Sequence, residues 1–222
     1  MTVPGTFDTS ARELIHAGLQ NLDEARSLFR QLSASGFDAA RCGLLLDALQ
    51  HVCDPDVALR NLVDIVNAQV SQGRALDDIM PDDTAFRQLV AVLGVSDAMG
   101  KLMRFRPDLV QAAATDHCNS HLYNHDQRRA HVLESVGADP NDRMSPTATM
   151  DLADAATALR RTYRNQLAAI IAQDTMSDDP IALQPRISSE LSDLADAALE
   201  GALAIARHEI AGSEHCRFAI IG

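Results

Sequence analysis

The 222 residues are enough for one large or two small domains with a sizeable core, and 46% hydrophobic content is globular rather than disordered. A net charge of −12 repels polyanions, so neither a nucleic acid nor an anionic membrane is an expected partner, and no apolar run approaches the roughly 18 residues of a membrane span. Aromatics are only 4% and Trp is absent, which leaves the core to Leu, Ala, Val and Ile and favours close-packed helices. The first residues, Met1 to Gly5, lack the charged leader and apolar stretch of a secretory signal, so a cytoplasmic protein is expected. Cys42, Cys53, Cys118 and Cys216 form no C-x-x-C pair, and reduced thiols without disulfides are expected.

In chain order, Ser10 caps a short helix that runs through Leu19, and a second helix spans Asp23 to Leu32 and ends near Gly36. Asp38 starts a third, with Cys42, Leu45, Leu46, Leu49 and Val52 at helical spacing. Asp54-Pro55 is a restart signal, with Asp as N-cap and Pro at the first helical position. The helix it opens carries Leu59, Leu62, Val63, Val66 and Val70 on one face and stops at Gly73. Pro81-Asp82-Asp83 begins a fifth, with Phe86, Leu89, Val90 and Leu93 inward and Gly94 as the stop. Ser96 caps a sixth that reaches about Phe105, and Pro107 opens a seventh. Short helices separated by Gly or Pro predict an orthogonal helical bundle over residues 1–136, and no fixed-period repeat suggests a solenoid.

Residues 137–146 are a Gly-, Asp- and Pro-rich break, and a long helix follows from Thr147 to Asp174 with an apolar seam of Leu152, Ala156, Leu159, Tyr163, Leu167 and Ile170. Thr175 to Ser188 reads as a second break. The last helix, Ser189 to Ala211, places Leu191, Leu194, Ala198, Ala202 and Ile205 on one face, and its Ala and Gly content lets a neighbour approach closely. The two long helices are expected to pair antiparallel. Gly212 closes the helix, and Arg217 to Ile221 then reads as a lone apolar strand running into Gly222. One strand cannot satisfy its own backbone groups, so the chain is expected to be the front of a longer protein. The division is then 1–136 for the bundle and 147–222 for the helix pair and first strand.

Three side-chain patterns invite chemistry. His117-Cys118-x-x-His121-x-x-x-His125 would stack three imidazoles at i, i+4 and i+8 if helical, a spacing that suits zinc. No carboxylate stands at a catalytic spacing, no second Cys pair closes the site, and Asn119, Asn124 and Asp126 weaken the helix, so solvent-facing or structural histidines are the preferred reading. Arg160, Arg161 and Arg164 form a basic cluster that could hold a phosphate or a partner carboxylate, or be a solvated face. Asp193 and Asp196, with Glu190, could hold a cation, though acidic residues early in a helix more often oppose its dipole. No dinucleotide fingerprint, Walker loop or nucleophile motif is present.

Three stretches carry a resemblance: Leu159-Arg160-Arg161-x-Tyr163-Arg164-x-x-Leu167, then Glu190-Leu191-Ser192-Asp193-Leu194-Ala195-Asp196-Ala197-Ala198-Leu199, then Phe218-Ala219-Ile220-Ile221-Gly222. Their order and spacing resemble the N-terminal half of the bifunctional glutamine synthetase adenylyltransferase/adenylyl-removing enzyme family. Asp54-Pro55-Asp56-x-Ala58-Leu59-Arg60-Asn61-Leu62 and the stretch from Leu93-Gly94 to Pro107-Asp108-Leu109 are similar too, so the likeness runs from about residue 40 onward. It carries no role onto Cys118 to His131.

The resemblance implies two nucleotidyltransferase domains in the parent. The N-terminal one removes AMP from a glutamine synthetase tyrosine by phosphorolysis, giving ADP, and the C-terminal one attaches AMP from ATP. PII-type signal proteins and glutamine regulate both. A Gly-rich loop and a Ser-Asp-x-Asp pair that would hold Mg²⁺ follow the strand ending at Gly222, which would start the active-site loop. This chain would then carry no catalytic or metal-ligating residue and be inert alone. The other reading of the same residues is a non-catalytic helical interaction module.

Overall fold

The computed structural model describes residues 9–75, 77, 82–114, 123–177, 179–210 and 212. The protein is mainly helical, at 75% helix, and among the described residues there are ten helices and no strand. No helix among them is long and apolar enough to cross a membrane. The residues expected to form the strand, Arg217 to Ile221, and Gly222 after them lie outside the described set.

The chain divides into two compact units, Met1–Asn119 with Ile171–Pro180, and Ser120–Ile170 with Ile181–Gly222. The first contains α1 (Ala11–His16), α2 (Leu22–Ala34), α3 (Ala39–Leu49), α4 (Pro55–Ser71), α5 (Asp83–Val95), α6 (Asp97–Met103) and α7 (Pro107–Ala114). Short polar side chains start them: Ser10, Asn21, Asp38, Asp54, Asp82 and Ser96 each accept a first-turn backbone N–H. Ser10 and Glu13 complete a reciprocal capping box. Asp56 bonds back to the Gln20 and Asn21 amides at 3.0 and 3.3 Å, which ties the α1–α2 turn to the start of α4.

Helix α5 is the centre of this unit. Phe86, Leu89, Val90, Val92 and Leu93 are buried, and α5 packs against α3, α4, α6 and α7. Gly94 lies inside α5 rather than ending it, and its missing Cβ leaves room for Val52, whose Cβ would stand 2.9 Å from one built there. The helix ends at Val95, and Ser96 restarts the chain. Asn61 of α4 is buried at the turn between them and donates to the Leu93 carbonyl at 3.2 Å. Helix α3 ends at Leu49, so Cys53 lies exposed in the following turn, while Cys42 is buried. Burial pushes the Cys42 thiol up, against a smaller opposing effect of the Ser33 hydrogen bond.

The second unit contains α8 (His125–Ser135) and most of α9 (Leu152–Thr175) and α10 (Pro180–Glu209). Ala155, Ala204 and Ile205 share one cluster with Leu159 packed on it, while Ile170, Ile187 and Leu194 share another with Leu167 and Leu183. Rising numbers on α9 meet falling numbers on α10, so the pair is antiparallel. Gly201 allows the close approach, since a Cβ there would stand 2.8 Å from Val132 and 3.0 Å from Leu159.

Two boundaries differ from expectation. Helix α9 starts at Leu152 rather than Thr147, because the preceding segment is used in tertiary hydrogen bonds: Ala148 N–H to Ala204 O at 3.0 Å and Thr149 Oγ1 to Gly137 O at 2.8 Å. Helix α10 starts at Pro180 rather than Ser189. Pro180 suits a first helical position, and packing of Leu183 and Ile187 offsets the backbone bond lost at Pro185 inside the helix.

Gly100 tests the packing of the first unit. A Cβ there would come within 2.3 Å of Asn61 Cγ. Gly100→Ala should displace that buried amide at a cost of about 1–3 kcal/mol, more than the ~1 kcal/mol that Ala gains in a helix. Urea denaturation should show a lower midpoint, and Asn61→Ala should cost less in the Gly100→Ala background than in the wild type.

Candidate functional site

Polar side chains concentrate in the second unit, where α8 meets α9 and α10. Helix α8 begins abruptly at Asn124, whose backbone is extended at φ −69° and ψ 168° and whose side chain forms a capping box with Gln127. Asn124 and Asp126, which look helix-weakening in sequence, are therefore an N-terminal signal. A single helix cannot pass through an extended Asn124, so His125 does not continue a helical i, i+4, i+8 stack from His117 and His121, which lie with Cys118 outside the described residues.

From this start, Arg128 and Arg129 fall at i−4 from Val132 and Leu133, on the buried stripe of α8. The Arg128 side chain is 1% exposed. It donates to Gln166 Oε1 of α9 at 2.7 Å and to the Glu190 carboxylate of α10. Arg186, one turn before Glu190, stands 3.9 Å from its other oxygen. Burying an unpaired guanidinium costs several kcal/mol, so this position exists only because Glu190 and Gln166 meet it. Arg128 Nε and Gln166 Nε2 remain buried without a partner.

Arg129, the next residue of α8, grips a different set of partners with its planar fork. It binds Glu200 bidentately at 2.7 and 2.6 Å, and donates to the Pro140 carbonyl at 2.6 Å and the Asp142 carbonyl at 2.9 Å. Arg207 adds a bond to the Pro146 carbonyl at 3.1 Å. Asp142 accepts the Ser145 and Met144 amides, and these two bonds hold its carboxyl below the usual range. A depressed carboxyl contributes stability above its unfolded pKa and loses it as pH falls through the folded value.

The carboxylates considered for a cation are thus largely engaged. Glu190 is held by Arg128, and Asp193 Oδ1 stands 3.0 Å from His125 Nδ1. Asp196 is exposed. Among the described residues no group of three or more His, Cys, Asp or Glu side chains is placed to hold a metal ion. The donor set present does not fit the Mg²⁺ that the resemblance implies. Arg160 and Arg161 are exposed on α9 and Arg164 is half-buried. They are not brought together with the Arg128 network. Sequence reading missed Arg128, Arg129, Gln166 and Glu200. The signal was there in the phasing of Arg128 and Arg129 with Val132 and Leu133.

Among curated proteins, a bifunctional glutamine synthetase adenylyltransferase/adenylyl-removing enzyme from Bifidobacterium longum (strain DJO10A) is 65% identical over 97% of this chain and 20% of its own length. Proteins of the same description from Leifsonia xyli subsp. xyli and Streptomyces avermitilis are 31% and 30% identical over 92% and 100% of this chain, and 19% and 20% of their own. The chain therefore spans about a fifth of the length of the curated relatives it matches. No family model matches it, and no solved structure does.

Two measurements follow from this site. Arg128→Met should destabilise by about 3–5 kcal/mol in chemical denaturation, because Glu190 stays buried with only the long contact to Arg186, and adding Glu190→Leu should recover much of the loss. A chelator should leave the melting temperature unchanged. Co-purified stoichiometric metal with a large chelator-induced drop would contradict it, since structural zinc contributes on the order of 10 kcal/mol.

Proposed function

Because the chain belongs to the family of bifunctional glutamine synthetase adenylyltransferase/adenylyl-removing enzymes, we propose that it is the helical lead-in to the adenylyl-removing half of such an enzyme. The observation that carries this reading is 65% identity across 97% of the chain. The fold alone would not do so, since a helical bundle serves many functions.

In the whole enzyme, a phosphate oxygen attacks the phosphorus of AMP on a glutamine synthetase tyrosine. The tyrosine oxygen leaves and takes a proton, and ADP departs. The other half attaches AMP from ATP. Glutamine synthetase is the protein substrate, PII-type signal proteins and glutamine set the direction, and the enzyme works in the cytoplasm. Mg²⁺ would be held by carboxylates of a nucleotidyltransferase domain outside this chain, where it would offset charge on the transferred phosphoryl group. The residues of this chain bind and position, and perform no chemical step.

A second reading, a non-catalytic interaction module, is favoured by the engagement of Glu190 and Asp193 with α8. The two separate on the downstream sequence, where the enzyme reading requires a Gly-rich loop and an Asp-x-Asp pair.

Incubated with adenylylated glutamine synthetase, phosphate and Mg²⁺, this chain should release no ADP, whereas a longer polypeptide that includes the downstream domain should. Comparable turnover by both would refute the assignment of the chemistry to the missing domain.

A further inference from the structure

Many cations on this acidic chain are answered close by, although Arg12 and Arg30 have no ion pair among the described residues. Arg26, Arg41, Arg60, Arg87, Arg104 and Arg143 each face a carboxylate within the first or second unit. Arg160 and Arg164 of α9 also lack such a partner, and they do so side by side. They stand at i and i+4, where like charges repel across one helical turn. The positions three and four residues to either side of them are Ala156, Thr157, Arg161, Tyr163, Leu167 and Ala168 or each other, so no carboxylate of their own helix is in reach. Arg160 donates to Thr157 Oγ1 at 3.4 Å, and among the described residues neither guanidinium has an ion pair. A chain with 31 acidic residues thus keeps a repulsive pair without local compensation.

We infer that this face of α9 docks an acidic protein surface. Charge complementarity names the sign of the partner, and the shape of the site names its class. The outer face of a helix is convex, whereas small-molecule sites are concave. The concavity at Phe37 and Phe86 belongs to other elements, and the one at His51 and Arg87 meets α9 only at its last residue, Thr175. Tyr163, which borders the pair one turn from Arg160, is 37% exposed. Arginine and tyrosine together are the side chains that dominate protein–protein contacts, because each combines a large buried area with directed hydrogen bonds. A carboxylate-bearing partner would relieve the Arg160–Arg164 repulsion and cover Tyr163. The inference is independent of the catalytic assignment, because it needs no downstream domain.

The test uses a fluorescein-labelled glutamate-rich peptide and fluorescence anisotropy. The wild-type chain should bind it at physiological salt, where its net charge of −12 is screened beyond about 8 Å and the contact with the Arg160–Arg164 pair is not. Arg160→Gln/Arg164→Gln should weaken binding by about fivefold or more, while Arg12→Gln/Arg30→Gln, which removes the same charge from exposed sites on α1 and α2, should change it by less than about twofold. Melting of the first variant should be no lower than wild type, since a repulsive pair has been removed. No binding by the wild type, equal loss in both variants, or a fall in melting temperature alongside lost binding would each overturn the inference. Displacement of the peptide by stoichiometric inorganic phosphate would also overturn it, in favour of a phosphate site.

Discussion

The second unit depends on a positive charge taken almost wholly out of water. Its apolar clusters are small and built from side chains such as Ala155, Ala204, Ala148 and Leu133, around the close approach at Gly201. Such contacts are non-directional, and small side chains let helices slide with little penalty. The Arg128 guanidinium removes that freedom. Its two terminal nitrogens are satisfied only when Gln166 of α9 and Glu190 of α10 arrive together, so one side chain of α8 sets the register of both long helices. The pair is costly in desolvation, and its return is specificity of arrangement rather than net stability.

The first unit is organised by the opposite means. Its centre, α5, is buried along most of its length by Leu, Val and Phe. Direction comes from the helix ends, where Asp54, Asp82 and Ser96 stop one element and begin the next. These ends were legible in sequence because an N-cap is a local device, decided within four residues. The apolar faces of α4 and α5 were equally readable from their spacing.

What could not be read was decided at long range. Gly94 looked like a stop, but it makes room for Val52, more than forty positions earlier. The stretch before Ser189 looked like a break until Leu183 and Ile187 were seen to pack on Ile170. Asn124 and Asp126 looked like weak helix formers, because a cap and an interior position carry the same letters. The candidate site divided in the same way. The Arg160–Arg164 cluster is a local pattern and was visible. The commitment of Glu190 and Asp193 to Arg128 and His125 joins residues 62 and 68 positions apart, and no local pattern announces it.

The segment from Gly137 to Met150 has no regular structure, yet it is fastened throughout. Arg129 and Arg207 hold its carbonyls, Asp139 and Asp142 hold its amides, and Ala148 and Thr149 bond to Ala204 and Gly137. Irregular surface chain is ordinarily where proteases cut, and Arg143 and the 87%-exposed Met144 offer side chains that trypsin- and chymotrypsin-like enzymes accept. Cleavage, however, requires several residues to leave the surface together and extend into the enzyme. Here that opening would strip Arg129 of its carbonyl partners and expose Ala138 and Ala148, so the loop can be cut only in molecules where α8 has already let go. A surface turn thereby reports on the integrity of the buried charge cluster beneath it.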